Sequence, residues 1–220
     1  MRKILIFLLC LGLACPVYAQ QERYVALTFD DGPSGRYTRE LLDGLAERQV
    51  SATFLLCGYR MREYPALTRR IFEEGHEIGL HGFSHDNMAK MTQKQVEKEL
   101  FETIKLLPEG CEPAFLRPPG GNCAPAVTGA AKEFGLGILH WSVDPRDWAS
   151  EDALLIQNTV VRTVRDGDVI LLHDMSASSV EAALAIVDEL IDQGFTFVTA
   201  SQLAKQKGTK IVPGRVYLRF

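Results

Sequence analysis

The sequence lacks the features that mark several large classes of protein. Its longest apolar run, Ile4–Ala14, spans eleven residues, whereas a membrane-spanning helix needs about 20. It has no long run of lysine or arginine and a net charge of −4, so neither nucleic acid nor an anionic membrane surface is an expected partner. Its 18 glycines and 10 prolines among 220 residues are too few for a collagen-like or low-complexity chain. What remains is the composition of a folded globular protein.

The first nineteen residues have the pattern of a secretory signal peptide. Two basic residues open the segment, Ile4–Ala14 forms an apolar centre, and Val17 and Ala19 are the small residues expected before a cleavage site. An uncleaved membrane anchor is the alternative, which the shortness of the apolar run disfavours. We therefore predict a signal peptide over 1–19, a single domain over 20–220, and a secreted or cell-envelope location.

Cysteine is scarce, and its placement limits what it can do. Cys10 and Cys15 belong to the predicted signal peptide, where lipid modification of Cys15 is a further alternative. Cys57 ends an apolar run and is expected to be buried. Cys111 and Cys123 bracket a segment rich in proline and glycine and are the candidates for a disulfide in an oxidising compartment. An odd number of thiols cannot pair completely.

Beyond residue 20, short apolar runs alternate with stretches of helical periodicity. The predicted strands are Tyr24–Phe29, Ala52–Cys57, Glu77–His81, Ala114–Arg117, Gly137–Val143, Asp168–His173 and Phe195–Thr199. Thr92 and Gln95 form a capping box that opens one helix, and Leu184, Val187 and Ile191 line another. Seven strands alternating with helices predict an α/β fold with a parallel sheet, either open or closed into a barrel. Both forms place reactive groups just past the carboxyl ends of the strands.

Chemically capable residues follow five of the predicted strands. The five segments are Thr28–Gly32, His81–His85, Arg117–Gly121, Asp144–Trp148 and Leu171–Asp174. Each has an ordinary structural explanation when taken alone, as a tight turn, a solvated loop or a packed side chain. Their shared position after strands favours one metal-assisted hydrolytic site over five unrelated turns.

Two of the segments carry the potential metal ligands. Adjacent side chains diverge, so one of Asp30 and Asp31 can bind a cation while the other faces a substrate. The four-residue spacing of His81 and His85 brings both imidazoles to one face if the segment turns helically, although Gly82 disfavours a helix. A carboxylate with two histidines leaves an open coordination position, as catalytic zinc has.

The order of these five segments resembles the motifs of the NodB-homology polysaccharide deacetylases, carbohydrate esterase family four. The similarity runs from about Tyr24 to Thr199. It implies a single-domain, distorted (β/α)7 barrel and an enzyme that uses a divalent metal, zinc above all, with cobalt or nickel as alternatives. The metal ligands implied by the resemblance are Asp31, His81 and His85.

The resemblance also implies roles for residues around the metal. Asp30 corresponds to the general base and His173 to the general acid. Arg117 would orient Asp30, and Asp147 would orient His173. The implied substrate-binding residues are Gly120, whose N–H would face the oxyanion, and Trp148, which would form a wall of the sugar groove.

Two positions depart from the family pattern. Gly82 stands where serine or threonine is usual, so the support of the neighbouring histidines is expected to differ. Gly120 stands where an aromatic residue is frequent, so a ring that would stack on the sugar is missing. Substrate preference is therefore open.

The resulting functional prediction is a secreted deacetylase that removes N-acetyl groups from a polysaccharide containing N-acetylglucosamine, with peptidoglycan as the leading substrate. The alternatives are a deacetylase of chitin oligomers, an O-acetyl esterase acting on xylan-type glycans, and a non-catalytic carbohydrate-binding relic of the fold. The sequence gives no indication of the oligomeric state.

Overall fold

A computed structural model describes residues 22–220, in which parallel strands curve into a distorted barrel. The predicted signal peptide lies outside the described residues. The strands are β1 (Arg23–Asp30), β2 (Thr53–Leu56), β3 (Glu77–Leu80), β4 (Phe115–Leu116), β5 (Gly137–Leu139), β6 (Val169–His173), β7 (Phe195–Phe197) and β8 (Val216–Tyr217). Their order is β6-β1-β2-β3-β4-β5-β8, and β7 pairs with the first residues of β1. All seven predicted strands form, which confirms the single-domain (β/α)7 barrel.

Within residues 22–220, eight α-helices surround the strands. They are α1 (Tyr37–Glu47), α2 (Gly58–Glu63), α3 (Pro65–Glu73), α4 (Gln93–Ile104), α5 (Pro125–Glu133), α6 (Ala153–Thr163), α7 (Ala177–Asp192) and α8 (Ala200–Gln206). The predicted capping box opens α4: the Thr92 N–H donates to Gln95 Oε1 at 2.8 Å. The predicted apolar face of α7 is wrong at Ile191, which is 42% exposed. The buried face includes Ile186 and Leu190, because Ile191 is rotated about 100° away from Leu190 around the helix axis.

The central strand β1 explains why the sheet has this form. Its residues Ala26–Phe29 are almost completely buried, and they pair with β2 on one side and β6 on the other. Phe29 stacks on Phe54 of β2, with ring centroids 5.2 Å apart. A strand covered on both faces needs a continuous apolar run rather than an alternating one. From Val25 to Phe29 β1 has such a run, interrupted only by Thr28, whose hydroxyl donates to the Ile170 carbonyl.

The carboxy-terminal segment 208–220 packs along β5 and against the amino-terminal ends of β4 and β6. Tyr217 pairs with Leu139 of β5, and Arg219 donates to the buried carboxylate of Asp168, just before β6. The Phe220 ring lies against Phe115, with centroids 6.2 Å apart. Within this segment only Val216 and Tyr217 form a strand, β8. The segment that contains β8 therefore contacts both β5 and the residues just before β6.

Three further sequence predictions concern strand length, cysteine and membrane spans. β5 ends at Leu139, four residues before the predicted end, and only Val143 pairs again, with Ile170 of β6. Cys57 is buried as predicted, whereas Cys111 and Cys123 are both free, so the candidate disulfide is not formed. Within residues 22–220, no helix combines the length and the apolar character that a bilayer span requires.

Candidate active site

Four of the candidate side chains lie at the carboxyl ends of neighbouring strands. Asp30 is the last residue of β1 and stands in register with His173, the last residue of β6. His81 directly follows β3, and Arg117 directly follows β4. Parallel strands end at the same edge of the barrel, so these four residues lie close together at that edge. The prediction that they converge at this edge is confirmed.

Asp31, His81 and His85 form a compact set of potential metal ligands. Asp31 Oδ1 lies 3.2 Å from His81 Nε2 and 3.0 Å from His85 Nε2, and one ligand atom from each residue lies within 4.8 Å of the others. Tetrahedral ligands about 2.0–2.1 Å from zinc are themselves about 3.3 Å apart. Asp31 Oδ1 is buried without a hydrogen-bond partner. A divalent cation fits this arrangement.

The negative charge of Asp31 also suits a cation. Burial acts to raise the pKa of Asp31, but its contacts with His81 and His85 lower the pKa more strongly, to well below the usual range. The same contact with Asp31 raises the pKa of His85. The other ring nitrogen of His81, Nδ1, lies 2.7 Å from the Arg117 carbonyl oxygen. That carbonyl accepts a hydrogen bond from Nδ1–H, which leaves Nε2 free as a ligand.

The backbone conformation that brings His81 and His85 together was not predicted from the sequence. The segment between them is not helical, and Gly82 and His85 have φ angles of 82° and 65°. Asp31 has a φ of 72°. Two of the three candidate ligands therefore adopt the left-handed backbone that costs a residue other than glycine about 1–3 kcal/mol. Such strain is concentrated at functional sites.

Asp30 faces a different partner from its neighbour Asp31. Its Oδ1 accepts a hydrogen bond from Arg117 Nη1 at 2.6 Å. The Arg117 side chain is completely buried and also donates to the Thr28 hydroxyl, at 2.9 Å, and to the Leu139 carbonyl, at 2.8 Å. A guanidinium held at this many points fixes the carboxylate rigidly. Asp30 Oδ2 lies 3.8 Å from His81 Nε2, beside the ligand set.

His173 lies across the site in contact with Asp147. Its Nδ1 is 2.8 Å from Asp147 Oδ1, and its backbone N–H donates to Asp147 Oδ2 at 2.8 Å. Burial acts to lower the pKa of His173, but the hydrogen bond and charge of Asp147 raise it to about 9. The imidazole is thus protonated at neutral pH. Because Asp147 takes Nδ1, Nε2 is the ring nitrogen available to a substrate.

The candidate residues line a cleft with two connected parts. One cavity of about 400 Å³ is bounded by Asp30, His81, Gly120 and Trp148, together with the rest of the ligand set. A second, of about 440 Å³, shares Trp148 and His173 and continues past them. Trp148 is 61% exposed. All nine predicted site residues lie in or directly behind this cleft.

Three further residues, for which no role was predicted from the sequence, contact the site: Asp174, Glu99 and Trp141. Asp174 is fully buried, which raises its pKa to about 7, and its carboxylate packs against Gly32, beside the candidate ligand Asp31. Glu99 on α4 accepts hydrogen bonds from the loop between the two histidines. Trp141 lines the cleft beside Gly120. Only Asp174, within the Leu171–Asp174 segment, had a signal that could have revealed it.

Comparison with known proteins is consistent with this site. The polysaccharide deacetylase family model matches residues 18–139. The chain belongs to the polysaccharide deacetylase family. It is therefore a carbohydrate deacetylase, and the family resemblance seen in the sequence is confirmed.

Individual relatives show how far the similarity extends. The chain is 40% identical over 192 residues to a peptidoglycan-N-acetylglucosamine deacetylase of Bacillus cereus, covering 84% of this chain and 90% of that protein. It is 35% identical to the peptidoglycan-N-acetylmuramic acid deacetylase PdaC of Bacillus subtilis, over 84% of this chain. The match spans only 40% of PdaC.

A solved structure shares the fold. The family 4 acetyl xylan esterase of Clostridium thermocellum, in complex with a cobalt ion, superposes with a TM-score of 0.84 at 35% identity. The alignment covers 90% of this chain and 98% of that one. The barrel described above is thus the fold of known family members over almost its whole length.

Proposed function

We propose that the chain is an exported, metal-dependent deacetylase that hydrolyses the N-acetyl group of N-acetylglucosamine in peptidoglycan. One observation carries this proposal. Asp31, His81 and His85 form a three-ligand set, and Asp30 and His173 lie on either side of it in one open cleft. The similarity to the Bacillus cereus peptidoglycan deacetylase supports the choice of substrate.

The roles of the two flanking residues follow from their partners. Asp30, held by Arg117, is the base that accepts a proton from the attacking water. His173, protonated because of Asp147, donates a proton from Nε2 to the departing amine nitrogen as the C–N bond breaks. One water is consumed, and the products are acetate and the free amino sugar. Gly120 lines the same cleft, and its backbone N–H is the proposed donor that stabilises the oxyanion.

A divalent ion held by Asp31, His81 and His85 would supply a Lewis acid that polarises the acetyl carbonyl and favours ionisation of water. Zinc is the proposed ion, since one carboxylate and two imidazoles suit it, with cobalt or nickel as alternatives. The cobalt ion in the related esterase supports a divalent metal in this fold.

A panel of substrates tests the proposal. Acetate release is measured from peptidoglycan, chitin oligomers and acetylated xylan, with added zinc and with a chelator. We expect release from peptidoglycan that depends on the metal. Release from chitin oligomers or xylan alone would assign one of the alternative substrates, and glycan binding without acetate release under any condition would establish a non-catalytic relic.

The proposal of export rests on residues 1–19. Their basic start, apolar centre and small residues at Val17 and Ala19 match a signal peptide. Amino-terminal sequencing of the protein recovered from the cell envelope or medium tests this point. A mature chain that begins at Gln20 is expected, and one that retains Met1 would contradict it.

A further inference from the structure

The loop that carries His81 and His85 donates several hydrogen bonds to one carboxylate, that of Glu99. Glu99 lies on α4, and its Oε2 accepts hydrogen bonds from the backbone N–H groups of Phe83 and Ser84, both at 2.8 Å. The Ser84 hydroxyl also lies 3.0 Å from the same oxygen. Three donors from two consecutive residues therefore converge on a single atom.

These contacts lie at the centre of the four-residue interval between the ligands. Phe83 and Ser84 are the two residues directly before His85, and Gly82 directly follows His81. The backbone bends through left-handed conformations at Gly82 and His85, so it has no repeating hydrogen bonds of its own. The carboxylate supplies the acceptor that a helical turn would otherwise provide.

Residue 82 contributes no side chain to this arrangement, because it is glycine. A Cβ added to Gly82 would lie 2.5 Å from the Met88 Cε and 3.5 Å from Glu99 Oε2. The Gly82 carbonyl meanwhile accepts from the N–H of Gly58 at 2.9 Å. The loop is thus fixed on one side by α2 and on the other by Glu99, while no side chain at position 82 takes part.

We infer that Glu99 is a positioning residue that fixes the spacing of His81 and His85 for metal binding. This inference rests on the proposed metal site, because Glu99 acts only through the loop. A carboxylate that accepts two backbone N–H bonds makes charge-assisted hydrogen bonds, which are stronger than neutral ones. Loss of groups that orient metal ligands typically weakens metal affinity by about 10- to 100-fold.

Zinc affinity of the full chain, measured by competition with a chromophoric chelator, tests the inference. Glu99→Ala is expected to weaken zinc binding by about 10- to 100-fold. Glu99→Gln retains one oxygen acceptor and is expected to fall between Glu99→Ala and the unsubstituted protein. This graded order distinguishes positioning of the loop from a general loss of stability.

Glu97 on the same helix provides the matched control. Its carboxylate accepts from Gln93 Nε2 at 2.8 Å, a contact within α4. Glu97→Ala is expected to leave zinc affinity within about twofold of the unsubstituted protein, since surface changes away from special features have small effects. Equal losses in the Glu97 and Glu99 variants would overturn the inference, as would a folded Glu99→Ala protein that binds zinc with unchanged affinity.

The cobalt-substituted protein gives a second readout. Visible absorption of bound cobalt reports ligand geometry, so its spectrum should change in Glu99→Ala and stay constant in Glu97→Ala. If Glu99→Ala fails to fold, an unchanged affinity and spectrum in Glu99→Gln would refute the inference. Zinc binding without acetate release would reject the proposed function alone, whereas failure of the unsubstituted protein to bind any metal would reject both.

Discussion

Asp30 and Asp31 are adjacent in the chain, yet their carboxylates face different partners. Asp30 Oδ1 accepts from Arg117 at 2.6 Å, whereas Asp31 Oδ1 lies 3.0 Å from His85 Nε2. The left-handed backbone at Asp31 separates the two side chains. One short segment thus provides both the proposed base and a potential metal ligand.

This separation predicts that the two functions can be removed independently. Asp30→Asn should lower turnover by about 10²–10⁴-fold, the usual contribution of a general base, while the bound zinc per chain stays unchanged. Turnover and metal content are measured on the same preparation. Loss of metal from this variant would mean that the roles of Asp30 and Asp31 are reversed.

Removal of a ligand should have the opposite pattern. His81→Ala is expected to lose both bound zinc and activity, because Nε2 of His81 is one of only three protein ligands proposed. His76 is a matched control, since it is also buried but accepts from the Ala52 N–H outside the cleft. His76→Ala should lower the melting temperature and keep the metal. Full activity in His81→Ala would refute the ligand set.

The contact between His173 and Asp147 predicts a pH dependence. The acid must be protonated, so the rate should fall as pH rises through the His173 pKa of about 9. In Asp147→Asn the charge that raises this pKa is gone while burial still lowers it, so the falling limb should move to lower pH. A profile of kcat against pH checks this shift, and an unmoved limb would exclude His173 as the titrating acid.

The raised pKa of His173 also predicts how the free energy of unfolding depends on pH. The folded value of about 9 lies above the unfolded value of about 6.5, so protonated His173 favours the folded state. Its contribution is complete below about pH 6.5 and is lost as pH rises through 9. The metal-free protein should therefore unfold at lower denaturant concentration at pH 9.5 than at pH 6.5, and Asp147→Asn should show a smaller difference.

Trp148 should affect substrate binding rather than folding. Its ring is 61% exposed and lines both parts of the cleft. Trp148→Ala is expected to raise KM for the polysaccharide several-fold and to change the free energy of unfolding by less than about 1 kcal/mol. An unchanged KM would show that the bound polysaccharide does not contact Trp148.

Much of the site could be predicted because its chemistry is concentrated at strand ends. Asp30, His81, Arg117 and His173 end or follow buried apolar runs, and the parallel arrangement brings such positions together. The helical turn that the spacing of His81 and His85 would allow, and that Gly82 disfavours, does not form, and sequence spacing alone cannot reveal the left-handed backbone found there. Such a backbone depends on partners elsewhere in the fold.

Glu99 shows what kind of residue sequence reasoning misses. It lies within a regular amphipathic helix, where an acidic residue is ordinarily a solvated surface group. Its partners are backbone N–H groups of a segment fifteen and sixteen residues earlier, which leave no pattern in the side chains. Cys111 and Cys123 show the reverse case, since their sequence context suggested a bond that the fold does not form.

The left-handed backbone at Asp31 and His85 carries a cost in stability. Glycine would occupy both positions with less strain. The side chains proposed to bind the metal are therefore present at some expense of thermal robustness. A variant with glycine at both positions should be inert and at least as resistant to heat as the metal-free parent.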